Sequence, residues 1–369
     1  MTEIAGARPS PVAEHSRPAV PEPSPVPSAA SEPAPSEQVA FHRLPRVVPH
    51  RRYWWRPLLA LLVTAASFAA MVLLLAVPVV AVSLIWPGAA PSEMISDPLN
   101  PMDQVLGLGA LALLIPAVLL GTRVAYGRFG IAHSVLGRFR WGLLGRAALV
   151  VVPVYLLTGT AANLVLNRDV IALPPPTAGV LAAWLLALVL APLQSAGEEY
   201  AFRVLPLQVL GTWLRWPVVG ILAPVPLFVL GHGYTGLGRV EIALFAVVMG
   251  LLAWKTGGIE IPVLLHVANN WTLFVIAPMI PGFTEQGEVS LPSMLLSAVP
   301  MLVLAAALWW WFSRREGLGL WQPQRVALGH GALPARLTRP ARDSVNRGQS
   351  HPAARRSGLV RSGQFAPRR

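Results

Sequence analysis

Two adjacent acids, Glu198 and Glu199, close an apolar run in the stretch SAGEEYAFR, and Arg203 ends that stretch. Further on, His232 ends the run Phe228-Val-Leu-Gly-His232, and His266 leads into Asn269 and Asn270 in LLHVANN. A carboxylate can take a proton from water, an imidazole can relay one, and a carboxamide can donate to an oxyanion. Consecutive helical residues diverge by about 100°, so Glu198 and Glu199 cannot share one task. Glu199 and Arg203 lie on one face and suit an ion pair, which leaves Glu198 free to face a cavity. His266 and Asn270 project together by the same spacing. Phe228 would pack on the His232 ring, with Gly231 and Gly233 opening space around it.

Taken singly, each pattern has a bland explanation: an interfacial charge cluster, a satisfied histidine, a hydrogen bond between helices. Their context is less ordinary. Of the eight histidines only His232 and His266 lie in apolar sequence, and the three patterns fall on successive apolar segments. Ionisable groups in such segments are expensive and usually functional.

The elements that must hold these residues are membrane helices. The 369 residues are 54% hydrophobic and 12% charged, about half the charge of a soluble domain. Apolar runs of about 20 residues read as spans. Eight such segments occur, roughly 58–86, 104–125, 147–166, 179–195, 218–231, 240–254, 261–279 and 291–312. The fifth and sixth are short, and two short segments could also form one re-entrant pair. Cysteine is absent, which excludes disulfides, thiolate metal sites and a cysteine nucleophile.

Basic residues set the orientation. The net charge of +12 is nearly all arginine, and 27 of the 29 basic residues fall in the tails and alternate loops of one side. Only Arg168 and Arg239 lie opposite, among seven acids. The positive-inside rule then places both termini in the cytoplasm, and that placement argues against nucleic acid as a partner. Residues 1–55, rich in Pro and Arg, and 314–369, rich in Arg, read as tails without stable structure. The C-terminal one could meet anionic headgroups. The expectation is an all-α polytopic membrane protein with about eight transmembrane helices over residues 56–313. At 1.5 Å per residue, His232 and His266 sit roughly 10 and 16 Å below the nearest charged boundary. Glu198 reaches similar depth only if its helix continues past Arg203 or tilts.

At these residues the chain resembles the CPBP family of intramembrane proteases, the type II CAAX prenyl endopeptidase or Abi family. The family motifs EExxxR, FxxxH and HxxxN are matched by Glu198 to Arg203, Phe228 to His232 and His266 to Asn270. Val204 stands where a small residue commonly follows the arginine. The resemblance covers roughly residues 178–275 and implies peptide hydrolysis. Glu198, with His232, would activate water; His266 and Asn270 would face the oxyanion; Glu199, Arg203 and Phe228 would support the site. His232 and His266 with a carboxylate could hold zinc in an open site, but HExxH is missing and Asn270 suits an oxyanion better than a metal, so a metal-free mechanism is favoured. The implied substrate is a membrane-embedded or lipid-anchored protein or peptide. A tail so rich in Arg, Pro and Ala points to a high-GC bacterial genome and a multi-pass protein of the bacterial plasma membrane. A silent scaffold or a transporter is the alternative, although no internal repeat supports a transporter.

Overall fold

The computed structural model describes Gly6 and residues 37–47, 53–283 and 285–328. Seven helices are long and apolar enough to cross a membrane: α1 (Arg56–Ile85), α2 (Pro101–Tyr126), α3 (Trp141–Leu166), α4 (Ala178–Trp213), and, after a shorter apolar helix α5 (Pro217–Leu230), α6 (Gly236–Thr256), α7 (Glu260–Met279) and α8 (Leu291–Arg315). Where about eight spans are expected, the fifth segment is therefore the exception. At 1.5 Å per residue α5 is about 21 Å long, short of a hydrocarbon core of about 30 Å.

Residues 231–235 complete the passage that α5 begins. Trp213, at the end of α4, bonds the Trp54 carbonyl beside α1, whereas Thr235, just before α6, bonds the Gly287 carbonyl in the loop before α8. The two ends of this passage thus lie at opposite ends of the bundle. Large apolar side chains remain exposed on α1, α3 and α8, such as Leu74, Leu149 and Val303, as lipid-facing surfaces require. The inner helix is α7, which packs against α3, α4 and α6.

One expected boundary moves. The apolar segment ending near Ser195 continues as helix through the two glutamates to Trp213. Charge stops a hydropathy reading, but here the charged groups are buried by neighbouring helices. The continuation includes a π-helical turn, Tyr200–Val204. Pro206 explains it: proline has no N–H to return to residue 202 and its ring crowds that carbonyl, so the ladder widens beforehand. The helix that carries Glu198 thus runs past Arg203, the condition that its expected depth required.

The expectation of structureless tails is corrected at their inner parts. Strand β1 (Glu37–Ala40) pairs antiparallel with β2 (Arg325–Leu328), Val39 opposite Val326. A 3-10 turn, Phe41–Arg46, follows β1 and buries Phe41 and Leu44 completely. Its cations close the end of α4: Arg43 Nη1 donates to the carbonyls of Gly211 and Leu214 at 2.8 Å, and Arg46 Nη1 to that of Thr212 at 3.3 Å. Carbonyls at a helix C-terminus lack intrahelical donors and attract positive charge. Gly211 has no room for a Cβ against the His42 backbone. Beyond α8, Lys255 Nζ donates to the carbonyls of Gly319, Leu320 and Gln322, and Arg140 grips Glu260 through Nε at 2.9 Å and Nη2 at 2.6 Å. Composition misled here because a few long side chains, rather than an apolar run, hold these segments. The outer parts of both tails lie outside the described residues.

Candidate active site

The three motifs meet inside the bundle. Helix α4 supplies Gln194, Glu198, Glu199 and Arg203, α5 supplies Phe228, the turn after it His232, and α7 His266 and Asn270. Gly197 lets α4 approach α2 closely, since a Cβ there would collide with the Leu111 carbonyl oxygen. The glutamates are thereby held against the bundle centre, with Glu198 6% and Glu199 0% exposed.

Glu199 pairs with Arg203 as the spacing predicts, Oε2 to Nε 3.3 Å. The guanidinium lies over the Phe228 ring at 4.3 Å, a cation–π contact. Phe228 then meets His232, with ring centroids 4.7 Å apart, and its carbonyl accepts from His232 Nδ1 at 2.7 Å. With hydrogen on Nδ1, Nε2 of His232 presents a lone pair. The FxxxH spacing thus does more than stack rings, because it also fixes a tautomer.

Glu199 has a second bond that sequence spacing did not reveal. Its Oε1 accepts from His266 Nδ1 at 2.8 Å. A carboxylate can only accept, so Nδ1 carries the hydrogen, and in the neutral ring Nε2 accepts from Asn270 Nδ2 at 3.1 Å. Glu198 Oε2 lies 3.5 Å from the same Nε2. Asn270 Nδ2 also donates to Gln194 Oε1 at 3.1 Å. Both amide hydrogens of Asn270 are therefore engaged, and the neutral His266 ring turns no hydrogen to the cavity. This differs from the expectation that both side chains stand ready as oxyanion donors. Gln194, four residues before Glu198 and on its face, was missed; the same spacing rule that linked Glu199 to Arg203 could have found it.

Glu198, His232, His266, Asn270 and Gln194 line one cavity of about 1130 Å³. Its wall includes Ile95, Ser96 and Pro98, residues 280–283, Glu285 and Gln286, and none of the loops beside β1 and β2, so it opens at the bundle end opposite the paired strands. The donors for zinc do not fit together. Among the described residues no three His, Asp or Glu side chains are grouped closely enough to hold one metal ion. His266 already has Nδ1 on Glu199 and Nε2 on Asn270.

Residues 177–272 match the family model described as type II CAAX prenyl endopeptidase Rce1-like. No curated protein and no solved structure matches the chain. The match begins at the cap of α4 and ends in α7, so it contains every motif residue and omits α1–α3 and α8. The segment that carries the three motifs, residues 177–272 of this multi-pass helical chain, is thus similar to type II CAAX prenyl endopeptidase Rce1-like proteins.

Proposed function

We propose that the protein is an intramembrane endopeptidase that hydrolyses a membrane-associated protein or peptide with a water activated by Glu198 and His232. The observation that carries this reading is the convergence of Glu198, His232, His266 and Asn270, from three separate segments, on one cavity between helices long enough to cross a membrane. Glu198 is the base and His232 Nε2 the second acceptor that orients the water. The proton taken by Glu198 passes across 3.5 Å to His266 Nε2, and from there to the leaving amine. As the carbonyl becomes tetrahedral, its oxygen displaces Gln194 Oε1 from the Asn270 amide and takes that hydrogen; Gln194 Nε2 supplies a second donor. Glu199 holds His266 in its tautomer, and Arg203 and Phe228 hold Glu199 and His232.

Orientation follows from charge. The arginine-rich end carries the paired strands and faces the cytoplasm, which makes the cavity mouth extracytoplasmic. The natural setting is then a bacterial plasma membrane, with the substrate entering from the outer leaflet or the space beyond it and anionic lipid at the Arg-rich tails. The test is cleavage of quenched peptides by the purified protein in lipid, with Glu198→Gln as control. Turnover equal in both proteins would defeat the reading.

A further inference from the structure

The mechanism leaves one charged side chain of the cavity without a task. Glu241, in the first turns of α6, lines the cavity and accepts a hydrogen bond from Ser297 of α8. A carboxylate has about four acceptor positions, so one hydroxyl leaves most of them open. Tyr155 of α3 lines the same cavity, is only 3% exposed, and its hydroxyl has no partner among the described residues. Glu241, Tyr155 and Tyr234 all belong to the lining of this one cavity. Gln104, buried on the same lining, likewise keeps Oε1 as an acceptor without a partner among the described residues. Buried polar atoms left unpaired are costly, and at a cavity wall they point to a ligand that pairs them.

The wall has one sign. Asp103, Glu198, Glu241 and Glu285 line the cavity, and among the described lining residues there is no arginine or lysine. Arg239, two positions from Glu241, gives its Nε to the Tyr234 carbonyl at 2.9 Å and is not part of the lining. Asp103 is bound by Ser92 and the Asp97 backbone, so it serves its own loop. Glu285 stands at the exposed rim. Glu241 is thus the inner carboxylate with capacity for a cation, and the rings of Tyr234 and Phe245 beside it attract positive charge.

We propose that Glu241, Tyr155 and Tyr234 form a subsite for the ammonium or guanidinium of a basic residue in the substrate, close in sequence to the scissile bond. The inference rests on the peptidase reading and narrows its substrate class to peptide segments carrying Lys or Arg. Glu241 is the counter-charge, and the Tyr155 oxygen accepts a further N–H group.

The experiment incubates the full-length protein in lipid nanodiscs with a mixed-sequence decapeptide library and identifies the products by mass spectrometry. Lys or Arg should be enriched about 10- to 100-fold at one position relative to the cut bond, the worth of a charge-assisted hydrogen bond. Because enrichment is a ratio within one reaction, it does not depend on overall rate. Glu241→Gln, which keeps the Ser297 bond, should abolish it, and Tyr155→Phe should reduce it severalfold. Glu198-dependent cleavage without basic enrichment, or enrichment that survives Glu241→Gln, overturns the subsite and leaves the peptidase reading standing. If wild type and Glu198→Gln are equally inert on the library, the peptidase reading falls and binding alone judges the subsite. A lysine-containing peptide amide should then raise the melting temperature of Glu198→Gln protein more than its norleucine counterpart. Equal shifts, or a difference that persists after Glu241→Gln, overturn the subsite.

Discussion

His266 Nδ1 lies 2.8 Å from Glu199 Oε1, while the other oxygen of that carboxylate stands 3.3 Å from Arg203 Nε. One buried carboxylate therefore ties a site imidazole to a buried cation. A carboxylate that fixes an imidazole's orientation and tautomer sustains the reactivity of its far nitrogen. Glu199 is a positioning residue for His266 as well as the counter-charge of Arg203.

The two glutamates should accordingly fail in different ways. Glu198→Gln keeps shape but cannot take a proton, so turnover should fall about 10²–10⁴-fold with the melting temperature unchanged. Glu199→Gln should lower both, because breaking a buried pair leaves Arg203 uncompensated, at about 3–5 kcal/mol, and a carboxamide can turn its NH2 toward Nδ1 and reverse the tautomer. Arg203→Gln should lower stability more than kcat. Melting curves and kcat for the three variants in one detergent decide the matter; a stable, inactive Glu199→Gln beside an active Glu198→Gln would exchange the roles.

The inner N-terminal segment gives a second expectation. Deleting residues 1–36 should leave melting and hydrolysis unchanged, because the packing that closes α4 begins after them. Deletion through residue 46 removes the caps on Gly211, Thr212 and Leu214, together with the buried Phe41. Phe41→Ala alone should cost about 3–5 kcal/mol. Equal melting temperatures for the two truncated proteins would show that the docked segment contributes nothing.

Acid should loosen the same segment. His42 is buried, Nε2 donates to the Arg215 carbonyl at 3.1 Å, and Nδ1 has no partner among the described residues. Burial lowers its pKa below the ordinary imidazole value of 6.5; Arg43 and Arg325 add to the effect, and the bond to Arg215 opposes it. A histidine whose folded pKa is depressed contributes its stability in full above the unfolded value and loses it as pH falls through the folded one. Unfolding should therefore become easier below about pH 6.5, and His42→Asn should flatten that dependence. An unchanged slope would mean that another group sets it.

Much of this site is legible in sequence because i to i+4 spacing is local. The pairings of Glu199 with Arg203, Phe228 with His232 and His266 with Asn270 each lie within one turn of chain. The bonds from Glu199 to His266 and from Asn270 to Gln194 join α4 to α7, and no periodicity encodes which faces of two helices meet. Seven long helices follow from apolar runs, although hydropathy ends α4 at its own charges, and composition does not reveal the strand pair. Glu241 reads as an outer-loop acid because hydropathy cannot distinguish a loop carboxylate from one facing a cavity.

Topology is open to direct test because the chain contains no cysteine. Cysteines introduced at Asp97 and Gln286 should react with an impermeant maleimide in intact cells, and one at Ala327 in β2 only after permeabilisation. Asp97 and Gln286 lie beside the cavity mouth, so the same labelling reports which side substrate enters. Labelling of Ala327→Cys from outside would reverse the orientation and place the mouth in the cytoplasm.

Gln194 offers the closest test of the proposed chemistry. Its Oε1 accepts from Asn270, and Nε2 has no partner among the described residues, so the side chain has two separable duties. Gln194→Met keeps length and removes both the acceptor and the donor. Loss of an oxyanion donor typically costs about 10²–10³-fold in kcat, and a donor that engages only the tetrahedral state leaves KM nearly unchanged. A residue that merely anchored Asn270 would act on stability or on substrate binding instead. Gln194→Glu separates the duties further, since it keeps an acceptor for Asn270 and lacks the donor. Both variants should show kcat reduced at least tenfold with KM within a factor of two or three, and Gln194→Met should melt close to wild type. Full kcat in Gln194→Glu would remove Nε2 from the oxyanion site and leave Asn270 as its amide donor.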